Sequence, residues 1–357
     1  MKAVSIDLLS PTSVAFEQDR RTDERAGNIV VTRTPLRVSF AGGGTDLPEF
    51  YEIDDGAVLS AAVDKYVYVT VKRHSEIFNE PIRINYSRTE QVNTVAEIEN
   101  NIARECLKLL NVGPPIFIST VADMPASTGM GGSSSFAVGL LNALHAYKGE
   151  RVTAGQLAEE ACFIERDVLK EPIGKQDQYA AAFGGLNLLR FGRGGRVMVE
   201  PQPVVNGSAS YLFSNLMMFW TGHQRPAASV LSEQKSNTSR NLDALRLMRN
   251  GAYELRGLLC LGGRIDLTKL GQALHRGWVM KQNLASGITT SDIDCHYARA
   301  IKAGAEGGRL CGAGGGGFLM FVVKPEKREL VRQALSELPL VPLGYEVHGS
   351  RVLYPSG

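Results

Sequence analysis

The alternation of hydrophobic and polar positions predicts a chain in which strands and helices are mixed along the whole length. Short runs of β-branched and aromatic residues predict strands, and apolar residues that recur every three or four positions predict helices. The predicted strands are 34–40, 58–71 (one or two strands), 115–121, 186–191, 211–220, 318–323 and 345–353. The predicted helical segments are 97–110, 136–147, 153–169, 172–183, 229–259, 267–283, 291–303 and 327–337. This mixture in both halves predicts an α/β or α+β fold.

The length of 357 residues favours two domains, at roughly 100–200 residues per domain. Residues 1–27 include a dense run of charges with little to bury, so we expect a flexible lead-in there. The stretch 191–206 is rich in Gly, Pro and Val and is the candidate domain junction. We therefore expect an N-terminal domain at 28–205 and a C-terminal domain at 206–357.

Charge and cysteine content limit the expected partners. A formal net charge of +2 gives no reason to expect a nucleic acid or a membrane surface as partner. No apolar run approaches the ~20 residues of a membrane-spanning helix. The five cysteines are scattered and form no C-x-x-C pair, which argues against a disulfide framework or structural zinc. We expect a cytoplasmic monomer or homodimer.

The loop PASTGMGGSSS, residues 125–135, has the composition that phosphate binding needs. It lies between a predicted strand and a predicted helix, where backbone N–H groups and the helix dipole attract anions. Its glycines allow close approach, and its serines add hydroxyl groups. The alternative is an ordinary turn in which a serine caps the helix. The predicted nucleotide contacts are Pro125, Thr128, Gly129, Met130, Gly131, Gly132, Ser133, Ser134 and Ser135.

Two other phosphate motifs do not fit this chain. A Walker A loop requires Gly-Lys followed by Ser or Thr, but Gly174-Lys175 is followed by Gln176. The run 312–317 matches a Rossmann fingerprint formally, yet a predicted strand follows it where a helix is required. We expect this run to form a tight turn whose backbone crowds the first loop or its ligand, the alternative being a flexible connector.

A third glycine loop, residues 41–48, follows the strand 34–40 and contains Asp46. This aspartate either caps the next turn or binds hydroxyl groups of a substrate through charge-assisted hydrogen bonds. Glu165 and Asp177 are the other candidate acids. Taken alone, both are compatible with solvated helix faces, but Pro172 between them prevents one continuous helix, so both can fold back toward the serine loop.

At these residues the sequence resembles the GHMP superfamily of galactokinase, homoserine kinase, mevalonate kinase and phosphomevalonate kinase. The segment from Arg33 to Asp46 is similar to the first family motif, 125–135 to the nucleotide motif, and 310–317 to the third. The resemblance runs from about Ile29 to the C-terminus. It implies an α+β fold with an N-terminal domain of ribosomal-protein-S5-domain-2-like type and a ferredoxin-like C-terminal domain.

Within this superfamily the chain is most similar to bacterial D-glycero-α-D-manno-heptose 7-phosphate kinases, through 33–51, 174–187, the Thr221-Gly222 segment that leads to Arg225, and 304–318. Gly42-Gly43-Gly44 replaces the Gly-Glu-His of galactokinases, which argues against galactose. The resemblance implies ATP-dependent phosphorylation of the anomeric hydroxyl of the heptose phosphate. The alternatives are a kinase for an unphosphorylated sugar, a non-catalytic sensor, or an ATP-consuming lyase.

The resemblance also implies roles for individual residues. Ser133 and Glu165 would hold Mg²⁺, Asp177 would accept the proton of the attacking hydroxyl, and Arg37 would lie beside Asp177. Arg225 is a candidate for the phosphate of the substrate or, alternatively, a surface cation. The expected substrate contacts are Gly43, Gly44, Thr45, Asp46, Arg225, Gly314 and Gly315.

Overall fold

The computed structural model describes residues 29–203, 207–224, 227–260 and 265–354. Within these residues the strands are β1 (Val30–Ala41), β2 (Gly56–Arg73), β3 (Ile82–Asn85), β4 (Thr89–Val92), β5 (Ile116–Ala122), β6 (Leu186–Gly192), β7 (Arg196–Pro201), β8 (Leu216–Trp220), β9 (Gly307–Leu310), β10 (Phe318–Val322), β11 (Leu340–Val341) and β12 (Arg351–Tyr354). The helices are α1 (Pro48–Tyr51), α2 (Asn101–Leu109), α3 (Gly132–Tyr147), α4 (Ala154–Cys162), α5 (Gln176–Phe183), α6 (Ser208–Ser214), α7 (Ala227–Ser236), α8 (Leu242–Cys260), α9 (Leu267–Gln282), α10 (Ser291–Lys302) and α11 (Arg328–Ala334). None of these described helices combines the length and the apolar character required to span a bilayer.

The first sheet is organised around the long strand β2, which pairs with β1 along one side. On its other side the first half of β2 pairs with β6 and the second half with β5, all antiparallel. The sheet order is β12-β1-β2-β5-β3-β4, and β7 continues from β6. The last described strand therefore lies beside the first. The predicted domain limits at 28–205 and 206–357 stay a prediction, and the lead-in 1–27 lies outside the described residues.

Helix α3 packs against the first sheet through an almost entirely apolar surface. A Cβ atom added at Gly139 would lie 2.7 Å from Thr34 Oγ1, so glycine permits the close approach of the helix to β1. Thr32 Oγ1 donates a hydrogen bond of 2.9 Å to the Gly139 carbonyl. Further along β1, the Arg37 amide donates to the Met130 carbonyl at 3.1 Å. These contacts hold the start of α3 beside the middle of β1.

The second sheet has the order β11-β8-β10-β9 and is antiparallel. Helix α9 lies against β9, where Gly271 and Gly307 bring the two backbones together: a Cβ on Gly307 would meet the Gly271 carbonyl oxygen at 1.9 Å. One apolar core connects both sheets, since it contains Val69 of β2, Leu255 of α8 and Met320 of β10. The described parts of the two sheets thus share a continuous core.

The structure corrects several predicted elements. The segment 211–220 was expected to be a strand, but its first residues belong to α6, which ends where Asn215 Nδ2 donates to the Tyr211 carbonyl at 2.7 Å. The expected strand 345–353 is mostly irregular, and only β12 pairs with β1. The proposed junction 191–206 contains strand β7 in its described part. The short strands β3, β4, β9 and β11 were not predicted, because segments of two to four residues carry too little periodicity.

Candidate active site

A cavity of about 430 Å³ lies where β1, the loop 125–135, α5 and α9 meet. The predicted site residues that line it are Arg37, Gly43, Gly44, Asp46, Thr128, Gly129, Gly131, Gly132, Ser133, Ser134, Glu165 and Asp177. The structure therefore brings together both candidate acids and all three glycine loops, since Gly312 and Ala313 also line the cavity.

The loop 125–135 presents the start of α3 to this cavity. Gly131 is the N-cap residue, with φ +77°, and within the described residues no side chain caps the helix. The alternative that a serine caps this helix is therefore wrong. The N–H groups of the first helical turn have no partner within the helix, and the positive end of the helix dipole lies beside the cavity. This arrangement is suited to phosphate oxygens.

Glu165 is buried beneath the serines of this loop. Helix α4 continues into a π-helical turn at Phe163–Val168, and this wider turn carries the glutamate. Its carboxylate accepts hydrogen bonds from Ser133 Oγ at 2.7 Å, Ser134 Oγ at 2.7 Å and Gln178 Nε2 at 2.6 Å. Burial raises the pKa of Glu165, and the three hydrogen bonds oppose that rise. The solvated-face alternative is wrong for this residue, which is 1% exposed.

Arg37 and Asp177 form a bidentate ion pair in the wall of the cavity. Arg37 Nε donates to Asp177 Oδ1 at 2.8 Å, and Arg37 Nη2 donates to Asp177 Oδ2 at 2.7 Å. The remaining terminal nitrogen, Nη1, donates to the Gly129 carbonyl at 2.6 Å. A Cβ on Gly131 would lie 3.4 Å from both side chains, so the ion pair lies directly against the phosphate loop. The predicted proximity of Arg37 and Asp177 is confirmed.

Asp46 is buried in the wall of the same cavity. Its Oδ1 accepts from the Gly44 amide at 2.9 Å, and its Oδ2 accepts from the Gln176 amide at 3.3 Å. Burial, followed by the nearby Asp177 carboxylate, raises the pKa of Asp46. A Cβ on Gly174 would lie 1.8 Å from Asp46 Oδ2, so the chain before α5 closes tightly over this carboxyl group.

The glycine run 312–317 packs backbone to backbone against the phosphate loop. A Cβ on Gly312 would lie 2.3 Å from Gly129 Cα, and one on Gly317 would lie 2.5 Å from the Thr128 carbonyl oxygen. The expectation that this turn packs closely against the loop 125–135 is confirmed. Larger residues at these positions would separate the two loops.

Other predicted contacts lie away from the cavity. Among the described residues, the predicted contacts that do not line the cavity are Thr45, Pro125, Met130, Ser135, Gly314 and Gly315. The Thr45 hydroxyl donates to the Gly42 carbonyl at 2.8 Å, and Ser135 Oγ donates to the Pro35 carbonyl at 2.8 Å. Met130 belongs to the apolar core, and Pro125 is exposed. Gly314 and Gly315 pack on Ile288. Arg225 lies outside the described residues.

Sequence reasoning missed two cations in the cavity wall, Lys281 of α9 and Arg309 of β9. Lys281 Nζ donates to the Gly312 carbonyl, and Arg309 Nη1 donates to the Phe40 carbonyl at 2.7 Å. Burial, and then the charge of Arg309, lower the pKa of Lys281 to about 7. A signal was present, because Lys281 continues the helical spacing of the buried residues Leu274 and Trp278. A lysine at a core position of a helix is a candidate for function.

Two family domains match this chain. Residues 79–185 match the GHMP kinases N terminal domain, and residues 258–339 match the GHMP kinases C terminal domain.

Individual relatives share most of their length with the chain. The D-glycero-alpha-D-manno-heptose 7-phosphate kinase of Campylobacter jejuni is 31% identical, over 85% of this chain and 92% of the relative. The galactokinase of Pyrococcus furiosus is 24% identical, over 86% of this chain and 92% of the relative. The crystal structure of a D-glycero-D-manno-heptose 1-phosphate kinase from Bacteroides thetaiotaomicron superposes with a TM-score of 0.75. It is 25% identical and covers 91% of this chain and 99% of that one.

Proposed function

The chain belongs to the GHMP kinase family, and we propose that it transfers the γ-phosphoryl group of ATP to the anomeric hydroxyl of D-glycero-D-manno-heptose 7-phosphate. The product would be the 1,7-bisphosphate, an intermediate for nucleotide-activated heptose in surface glycans. Family membership confirms the predicted two-domain α+β kinase fold. The observation that carries the proposal is the Arg37–Asp177 ion pair held against a phosphate-binding loop in one cavity.

The loop 125–135 is the proposed site for the nucleotide phosphates. The first-turn N–H groups of α3 and the close backbone at Gly129 and Gly131 supply donors without side-chain bulk.

The described cysteines, which are Cys106, Cys162, Cys295 and Cys311, are free, in keeping with the proposed cytoplasmic location.

Ser133 and Glu165 are suited to hold Mg²⁺. Ser133 Oγ and Glu165 Oε1 lie 2.7 Å apart, close to the separation of about 3 Å between neighbouring oxygens of an octahedral magnesium shell. Among the described residues no group of three His, Cys, Asp or Glu side chains could hold a metal ion. Nucleotide phosphates and water would therefore complete the shell, as Mg²⁺ usually prefers. When bound, the ion would neutralise charge on the nucleotide phosphates.

Asp177 is the proposed general base for the acceptor hydroxyl. Each of its oxygens accepts one hydrogen bond from Arg37 and retains a lone pair for the substrate. Arg37 orients this carboxylate and lies next to the loop carbonyl of Gly129, where the transferring group would pass. Gln178, one residue after Asp177, holds Glu165, so helix α5 aligns the base with the proposed metal ligand.

The open space beside the glycine loop 42–44 favours a heptose over galactose as the acceptor. A Cβ on Gly43 would approach only Gln176 Nε2, at 3.9 Å, so the position that carries Glu in the galactokinase motif is open space here. Asp46 lies beside this space and is proposed to bind sugar hydroxyls.

The test is ADP release from Mg·ATP with a panel of acceptors. The panel contains D-glycero-D-manno-heptose 7-phosphate as both anomers, the unphosphorylated heptose, fucose and galactose. We expect turnover with the heptose 7-phosphate and much lower kcat/KM with the other sugars. Turnover restricted to an unphosphorylated sugar would overturn the substrate assignment, and nucleotide binding without turnover of any acceptor would favour the sensor alternative.

A further inference from the structure

Two buried cations in the cavity wall have no role in the mechanism proposed above. The side chain of Lys281 is 4% exposed and that of Arg309 is 3% exposed. Each donates to a backbone carbonyl, and within the described part of the chain neither forms an ion pair with a carboxylate at hydrogen-bond distance; Asp46 acts on Lys281 only at longer range. A buried cation without an anionic partner is costly, and this favours an anionic ligand as the missing partner.

Other unused donors lie in the same wall. Ser39 Oγ and Gln234 Nε2 are buried, line the cavity and have no hydrogen-bond partner among the described residues. Ser39 follows Arg37 by two positions on β1, so both side chains project from the same face of the strand. Four groups that can all donate hydrogen bonds suit an oxygen-rich anion such as a phosphate monoester.

The position of this donor cluster favours the acceptor over the nucleotide. The proposed nucleotide site already has the start of α3, with Arg37 beside it at the Gly129 carbonyl. Arg309 is anchored at the Phe40 carbonyl, three residues along β1 from Arg37 and so roughly 10 Å further on. Gln234 lies against Gly44, since a Cβ on that glycine would approach its Nε2 at 2.1 Å. Ser39, Arg309 and Gln234 therefore lie along β1 and the sugar loop, while Lys281 reaches the same cavity wall from the Gly312 turn.

We propose that Lys281 and Arg309, assisted by Ser39 and Gln234, bind the phosphate group that the acceptor already carries and thereby select phosphorylated over unphosphorylated sugars. This inference rests on the proposed function, since it specifies how that site recognises its acceptor. It does not require Arg225, the residue that the sequence suggested for the same phosphate.

The experiment compares wild type with Lys281→Met and Arg309→Met, each at saturating ATP. We expect KM for heptose 7-phosphate to rise roughly 10- to 100-fold in each variant, the loss expected for one charge-assisted hydrogen bond. KM for ATP and turnover of the unphosphorylated heptose should stay within a few-fold of wild type. Calorimetric titration of heptose 7-phosphate without ATP should show the same weakening. Lys269→Met is the matched control, because Lys269 is an exposed lysine of the same helix.

The outcomes separate this subsite from the proposed function. Wild-type turnover restricted to unphosphorylated sugars contradicts the proposed function itself. A wild type that requires the acceptor phosphate, together with variants that keep the same requirement, contradicts only the subsite. A fall in kcat with every acceptor and a higher KM for ATP would place both cations at the transferring group and overturn the inference. If a variant fails to fold, inorganic phosphate tests wild type directly: competition against heptose 7-phosphate supports the subsite, and competition only against ATP refutes it.

Discussion

Replacing Glu165 with Gln should abolish magnesium-dependent nucleotide binding while the stability of the ligand-free protein changes little. The substitution keeps the shape of the side chain and removes one buried charge. The amide oxygen at the Oε2 position would still accept from Ser134 Oγ and Gln178 Nε2, whereas the amide nitrogen at the Oε1 position would donate to Ser133 Oγ instead of accepting from it. Hydrogen bonds to charged groups contribute about 1 kcal/mol more than neutral ones, so three bonds lose about 3 kcal/mol. Removing the buried charge offsets this loss, because burial of an ion costs several kcal/mol.

The two contributions should nearly cancel in the ligand-free protein. The folded-state pKa of Glu165 is raised above its ordinary value, so the proton it binds stabilises the fold at low pH. That contribution is fully present below the unfolded pKa and is lost as pH rises through the folded pKa. Glu165→Gln removes this dependence. The variant should therefore gain in unfolding free energy relative to wild type as pH rises above about 4.5.

Nucleotide binding should respond differently. Mg·ATP at 100 times its Kd stabilises wild type by about 2.7 kcal/mol, and we expect the magnesium-dependent part of this stabilisation to be absent from the variant. Loss of several kcal/mol of metal-assisted charge stabilisation should lower kcat by about two to three orders of magnitude. The assays are thermal unfolding with ATP plus Mg²⁺ or EDTA, and coupled ADP release.

Asp167→Asn is the matched control, because this exposed carboxylate lies on the same π-helical turn. It should change neither readout. A Glu165→Gln protein with near-normal kcat and magnesium-dependent stabilisation would refute the metal-ligand role. A protein that is unfolded at neutral pH without ligand would show instead that Glu165 is required for the fold.

Three further predictions concern the base, the loop contact and the pH dependence of acceptor binding. Asp177→Asn should lower kcat by about 10²–10⁴-fold with little change in KM for ATP. It should also destabilise the fold by about 1–3 kcal/mol, because one Arg37 donor loses its acceptor. A variant with kcat within a few-fold of wild type would refute the base assignment. Gly312→Ala should raise KM for ATP and lower the unfolding midpoint, since its Cβ would meet Gly129 Cα at 2.3 Å; Gly149→Ala has a similar positive φ but open space and is the control. Equal KM values for ATP in these two variants would show that the loop contact is not needed. Lys281 has a pKa of about 7, lowered by burial and by Arg309, with Arg37, Cys311 and Asp46 also nearby. It loses its proton as pH rises, so KM for the acceptor phosphate should increase from pH 7 to 9 in wild type and stay flat in Lys281→Met; a slope that survives the substitution would exclude Lys281 as its cause.

Residues that belong to compact local patterns were accessible from the sequence. The loop 125–135 contains more glycine and serine than a helix cap needs, and this excess predicted a phosphate-binding loop; in the structure the loop leads into α3 with Gly131 at the N-cap and no capping side chain. Glu165 and Asp177 were candidates through the family resemblance, and the structure places both in the cavity wall. By contrast, Thr45 and Ser135 belong to the first and second family motifs, but their hydroxyls donate to backbone carbonyls. A motif identifies a segment, while the direction of each side chain depends on how that segment packs.

The sequence by itself determined the three glycine loops, the order of most long elements and the type of chemistry, because backbone conformation and apolar periodicity are local properties. Only the tertiary structure decided that Gly312 touches Gly129 and that Lys281 and Arg309 complete the cavity wall. These two cations are more than 25 residues apart from each other and more than 240 from Arg37. Their proximity follows from the packing of α9 and β9 against β1, a long-range arrangement that no short stretch of sequence specifies.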